Sequence, residues 1–168
     1  QSVKSARALK DRIDELLAQK TSNSKEKIEA YKDLLESTND RLIVFYNFDE
    51  ELKDLRLATK DRPISIINGK IKDLNAYEKD NNSITFIQYQ AGAMGLNLQK
   101  ANKIIYYAPP LSSELYQQSM KRIHRIGQEQ PCFYYRFITK NSLEEKIYFS
   151  LEKHEDYTLR LFDDIIKK

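Results

Sequence analysis

The sequence predicts an α/β domain: a parallel β-sheet sandwiched by helices, with an N-terminal helical extension. Three observations carry that prediction. Five short apolar runs recur along the chain: RLIVFYNF at 41–48, ISII at 64–67, ITFIQY at 84–89, KIIYYA at 103–108 and CFYYRFI at 132–138. Their continuous apolar cores between polar flanks are the pattern of strands covered on both faces. Helical-period segments separate them, and strands alternating with helices imply parallel crossovers. Finally, 168 residues with 40% hydrophobic and 32% charged side chains suit one globular domain, or one domain with an appendage.

Each element has its own signal. Val3, Ala6, Ile13, Leu16 and Leu17 fall at helical spacing over 3–18. The TSNS at 21–24 is expected to break that helix, with Ser24 as N-cap of a second one carrying Ile28, Tyr31, Leu34 and Leu35. The expected division is therefore 1–23 as an N-terminal helix or inter-domain connection, and 24–168 as the α/β unit. A helix over 49–58 follows the first strand. Asn68-Gly69 closes the second strand, and a weak helix is expected over 71–79. Pro109-Pro110 stops the fourth strand, and a helix over 112–126 follows. Ser142 and Glu145 fit a capping box at the head of a final helix running through Leu143, Ile147, Leu151, Thr158 and Phe162.

Several function classes are disfavoured. No apolar run approaches the roughly 18 residues of a membrane span, and there is no signal-peptide pattern. The single Cys132 cannot form an internal disulfide and reads as a small packed hydrophobe, which suits a reducing cytosol. Two histidines, His124 and His154, far apart, make no metal cluster. Neither a GxxxxGK[ST] phosphate loop, nor a GxGxxG fingerprint, nor a Ser/His/Asp or Cys/His nucleophile arrangement is present. A net charge of +3 permits nucleic-acid binding without arguing for it. A chain that opens on Gln1 rather than Met reads as a fragment or a processed product.

In open parallel sheets ligands bind beyond the carboxyl ends of the strands, so the segments after each strand hold the candidate sites. After the first strand, Tyr46 and Asn47 could stack on a base or touch a phosphate; alternatively, Asn47 or Asp49 caps the next helix. After the third strand, QAGAMGLNLQKAN at 90–102 places Gly92 and Gly95 where backbone could approach an anion, or where a tight turn only needs room. The richest segment is QSMKRIHRIGQ at 118–128. On a helix, Gln118, Arg122 and Arg125 share a face, with Leu115, Ser119, Ile123 and Ile126 on the neighbouring less polar stripe. Two converging guanidinium forks ask for a phosphate; the plainer alternative is a solvated basic face.

The order of these pieces resembles the second RecA-like domain of superfamily-two helicases, and most closely its Swi/Snf-type branch of DNA-dependent ATPases. Residues 90–98 look like motif V (RAGGxGxNL), residues 118–128 like motif VI (QAxxRxHRIGQ), and RLIVFYNF like the permissive motif IV. The likeness covers about residues 25–160. Ala93 stands where motif V commonly has Gly, Gln90 where it has a basic residue, and Gln88-Tyr89 where a Ser-Thr pair is common. The short segment 64–83 and the lack of long insertions resemble compact bacterial or phage-encoded members, which implies a cytoplasmic location.

The resemblance implies half of a site. ATP and Mg would be held mainly by a first RecA-like domain of the same polypeptide, and DNA, in duplex form, would be the track. Arg125 matches the arginine finger, Arg122 its phosphate-facing companion, and Gln118 an amide linking the motif to the nucleotide. Gly95 and Asn97 match positions near the ribose and the domain interface. Gln90, Ala91 and Gly92 match the segment near the nucleic-acid backbone, with Tyr46 and Asn47 of the first strand end beside them. Both arginines are expected to face solvent in the lone domain. The alternatives are a RecA-like docking module that no longer works as a motor, and an unrelated basic α/β binding domain.

Overall fold

The central strand is buried at all five positions and sorts its side chains by parity. In the computed structural model, which describes residues 2–91, 96–110, 112–138 and 142–153 (side chains only outside 2–5 and 13–23), β1 is Leu42–Tyr46. Ile43 and Phe45 enter one core, and Leu42, Val44 and Tyr46 the other. The full order is α1 (Ser2–Ser37), β1, α2 (Asp49–Thr59), β2 (Ile64–Ile67), β3 (Lys72–Asp73), α3 (Asn75–Lys79), β4 (Ile84–Gln88), β5 (Lys103–Tyr106), α4 (Ser113–Met120), β6 (Phe133–Arg136) and α5 (Leu143–Glu152).

The sheet runs β3-β2-β4-β1-β5-β6, and every neighbouring pair is parallel except β2 with β3. Tyr31 of α1 and Leu52 and Leu55 of α2 cover one face; Tyr77 of α3, Tyr116 of α4 and Tyr148 of α5 cover the other. The three-layer arrangement follows from the apolar strands, which leave both faces to be buried.

Three expectations are corrected. The TSNS at 21–24 does not break the first helix: α1 is continuous over 36 residues. Ser, Thr and Asn cost a helix interior only about 0.5 kcal/mol each, and no Gly or Pro lies there to force an end. The second correction is β3, a short antiparallel addition. The Asn68 Oδ1 accepts from the N–H groups of Lys70 (2.8 Å) and Ile71 (2.7 Å), turning the chain back as a hairpin after β2. The third is α4, which ends at Met120 and not near 126. The last helix is described as far as Glu152; Thr158 and Phe162 lie outside the described residues.

Candidate functional site

At the carboxyl ends of the strands, backbone carbonyls are held by half-buried side chains. The Asn47 Nδ2 donates to the Pro109 carbonyl (2.9 Å), and the Gln88 Nε2 donates to the Asn47 carbonyl (3.0 Å). Tyr46 is fully buried with its ring in the core under α1 and α2, so it has no face to offer a base, and that expectation is corrected. Nor does Asn47 or Asp49 cap α2. The N-cap is Phe48, and the Glu51 carboxylate accepts from the N–H groups of Asn47 and Phe48, both at 2.9 Å. A Glu three residues after the cap was the legible signal for this half of a capping box.

Gln90 is exposed and Ala91 half-buried, immediately beyond the β4 end. Gly92 and Gly95 lie outside the described residues. Asn97 is exposed, and its Oδ1 accepts from the Gln99 N–H at 3.2 Å in a local turn.

The arginine segment departs most from expectation. Gln118 lies in α4; Arg122 and Arg125 lie beyond it, so the three do not share one helical face. The N–H groups of Lys121 and Arg122 bond three residues back, to Gln118 and Ser119, and the helix tightens and stops. What draws the chain away is a set of contacts with residues 96–101. The Leu98 N–H donates to the Arg122 carbonyl at 3.0 Å. The Gln128 Nε2 lies within 3.0 Å of the carbonyls of Gln99, Ala101 and Ile123. Gly127 has φ +98°, and a Cβ there would meet the Gln99 amide at 3.3 Å. Local helix propensity loses to this tertiary clasp. Because α4 carries the chain back along the sheet, residues 122–128 pack on the segment leading into β5 and not beyond its carboxyl end.

This clasp separates the two arginines. Arg122 is 6% exposed, which corrects the expectation that both face solvent. Its Nη1 makes one long bond, 3.4 Å, to the Leu96 carbonyl, and its buried Nε has no hydrogen-bond partner among the described residues. Burial pushes its pKa down, and the nearby Arg125 charge adds to that. Arg125 itself is exposed, as are His124 and Ile126. No ion pair among the described residues reaches either guanidinium. Gln118 donates from Nε2 to Glu114 at 3.2 Å, while its buried Oε1 has no partner among the described residues. A desolvated cation short of acceptors, beside a second free cation, is an arrangement that an incoming anion would relieve. Phosphate oxygens fit it; among the described residues no group of His, Cys, Asp or Glu is placed to hold a metal.

A mainly parallel α/β/α sandwich whose arginine-bearing segment is clasped onto a glycine-rich one is the RecA-like fold of a helicase C-terminal domain. The chain belongs to the helicase conserved C-terminal domain family, which matches residues 26–127. Its relatives include Swi/Snf-type ATPases. It is 27% identical over 119 residues to the DNA repair and recombination protein RAD54-like of Drosophila persimilis, covering 65% of this chain and 15% of that protein. It is 36% identical over 85 residues to the DNA repair protein rhp54 of Schizosaccharomyces pombe (51% and 10%). It is 34% identical over 80 residues to the ISWI chromatin-remodeling complex ATPase ISW2 of Saccharomyces cerevisiae (46% and 7%). The chain thus spans 15% or less of the length of these relatives. Among solved structures, it resembles the C-terminal part of the Fun30 ATPase domain with a TM-score of 0.65 and 28% identity, covering 73% of this chain and 44% of that one.

Proposed function

We propose that this chain is the second motor lobe of an ATP-driven translocase or helicase acting on duplex DNA. The observation that carries the reading is Arg122, buried and short of acceptors beside an exposed Arg125. In this reading Arg125 is the arginine finger, Arg122 its phosphate-facing companion, and Gln118 the amide that joins them to the nucleotide. Gly95 and Asn97 lie near the ribose. Gln90, Ala91, Gly92 and the Asn47 corner face the DNA backbone.

ATP and Mg are held mainly by another RecA-like lobe, whose phosphate loop and acidic box supply what these 168 residues do not contain. Bound nucleotide draws the lobes together, and its hydrolysis releases them. Residues 1–23 serve as the connection toward that lobe. The short passage from β2 to β4 supports a compact bacterial or phage-type protein working in the cytoplasm.

The reading is tested by ATP turnover of the full-length protein with and without duplex DNA. Arg125→Ala is expected to cut DNA-stimulated turnover by on the order of 10³. Near-normal turnover in that variant removes the finger role. Binding of DNA by the unmodified protein with no ATP turnover at all would favour a docking module instead. The 168-residue chain alone is expected to hydrolyse no ATP.

A further inference from the structure

Three consecutive carbonyls after β5 are each held by a side chain from a different element. The Lys27 Nζ of α1 donates to the Tyr107 carbonyl at 2.8 Å. The Tyr89 hydroxyl donates to the Ala108 carbonyl at 2.5 Å. The Asn47 Nδ2 donates to the Pro109 carbonyl at 2.9 Å. The held segment leads, through Ser112 as N-cap, straight into α4. Eight helical residues, a rigid rod of about 12 Å, then separate it from the arginine segment.

Tyr89 is the most informative of the three donors. It directly precedes Gln90, the first residue of the segment proposed to face DNA. It is 3% exposed, and its ring stacks on Phe45 (centroids 5.2 Å apart) and on Tyr106 (6.5 Å). Tyr106 in turn shares a hydrogen bond of 2.8 Å with Ser119 near the end of α4. Burial lifts the Tyr89 phenol well above its ordinary pKa, so it stays a proton donor at any working pH. Bulk packing does not require a hydroxyl here: the aromatic core on this face would accept a phenyl ring of the same shape.

We infer that Tyr89, seconded by Lys27, is a positioning residue that couples the DNA-facing segment 90–92 to the placement of α4 and hence of Arg122 and Arg125. The inference rests on the proposed motor function. A shift of the backbone at Gln90 moves the Tyr89 ring, and the hydroxyl passes that shift to the Ala108 carbonyl at the root of α4. Lys27 ties the same segment to α1.

The experiment compares full-length protein with Tyr89→Phe, and with Tyr31→Phe as the matched control. Tyr31 is equally buried, and its hydroxyl bonds Thr59 at 2.7 Å on the opposite face of the sheet and none of the held carbonyls. ATP turnover with and without duplex DNA, KM for ATP, DNA affinity and thermal unfolding are measured for each. Tyr89→Phe is expected to lower DNA-stimulated kcat by on the order of tenfold, with KM, DNA affinity and the unstimulated rate within about twofold. Tyr31→Phe is expected to lose comparable thermal stability and keep its stimulation. If both variants lose only stability, Tyr89 is structural and the inference is overturned. An unmodified protein without DNA-stimulated turnover sinks the motor reading itself, which separates the two failures. Should Tyr89→Phe fail to fold, Lys27→Gln carries the same expectation at smaller amplitude, and unaltered stimulation there overturns the inference.

Discussion

Arg62 is half-buried and Arg122 buried, and the fold treats them in opposite ways. Arg62 is surrounded by main-chain carbonyls: Asn82 at 2.8 Å from Nε, Thr38 at 2.8 Å and Leu35 at 3.4 Å from Nη1, and Asp40 at 2.5 Å from Nη2. These acceptors close the end of α1, the turn into β1 and the turn into β4, so one guanidinium staples three chain segments. Burial pushes its pKa down, and Tyr31 and Asp40 push it back. Among the described residues Arg122 has the Leu96 carbonyl alone and an Nε without a partner, and a second arginine adds to the cost. A cation that serves the fold is given acceptors. Under the proposed function, one that is buried and short of them among the described residues awaits an acceptor from outside.

The comparison is broken or sharpened most directly by exchanging each arginine for an apolar residue. Arg122→Leu in the full-length protein is expected to reduce DNA-stimulated ATP turnover by on the order of 10³, about 4 kcal/mol of transition-state stabilisation, without lowering the unfolding temperature. Arg62→Met is expected to do the reverse: a loss of about 1–3 kcal/mol of stability, with turnover retained at temperatures where the chain stays folded. If Arg122→Leu melts the protein as Arg62→Met does, Arg122 is a staple too and the distinction collapses.

A smaller effect is expected at the clasp that holds Arg122 in place. The Gln128 amide serves carbonyls on both sides of the crossing, those of Gln99 and Ala101 and that of Ile123. Gln128→Ala leaves these carbonyls short of a donor and is expected to cost about 1–3 kcal/mol in denaturant unfolding. Because the Leu98–Arg122 backbone bond remains, turnover should fall less than in Arg122→Leu. A Gln128→Ala protein of unchanged stability would mean that the crossing is held by that backbone bond and by packing of Ile123, which is fully buried.

How far the sequence reaches can be judged from these same residues. All five parallel strands stand where apolar runs place them. The four inner ones are largely apolar because both their faces are covered, whereas β6 is a sheet edge, half-buried at Tyr134 and Tyr135 and exposed at Phe133 and Arg136. The continuity of α1 through 21–24 and the end of α4 were not legible. The TSNS at 21–24 is a collection of weak helix formers, which a long helix tolerates, while 121–126 contains no helix breaker and is nonetheless unwound. Its conformation is set by Gln128 and Leu98, partners that sequence periodicity does not reveal. For the same reason the positions of Gln118, Arg122 and Arg125 along the chain were readable, but their unequal burial was not. Tyr46 misled in the opposite direction: an aromatic beside an amide at a strand end looks like a stacking platform, yet strand parity turns it into the core.

The smallest expected effect concerns Glu144, the acidic counterpart of Arg122. It pairs with Lys27 across α1 and α5, but its Oε1 is buried without a partner among the described residues. Burial raises its pKa; Lys27 opposes that shift, and Glu51 adds to it. In the window between the ordinary carboxylate value and this raised one, the folded state holds a proton that the unfolded state has lost. Glu144 therefore contributes stability that is fully present below the ordinary range and is lost as pH rises through the raised value. Thermal unfolding of the wild type and of Glu144→Gln from about pH 4 to pH 7 isolates the effect, since all other titrating groups are shared. The wild type is expected to lose stability relative to the variant as pH rises. A difference that is flat, or that favours the wild type at higher pH, would mean that the ion pair with Lys27 outweighs burial. Glu144 would then stand nearer to Arg62, as a charge stabilised by its partner within the fold, than to Arg122.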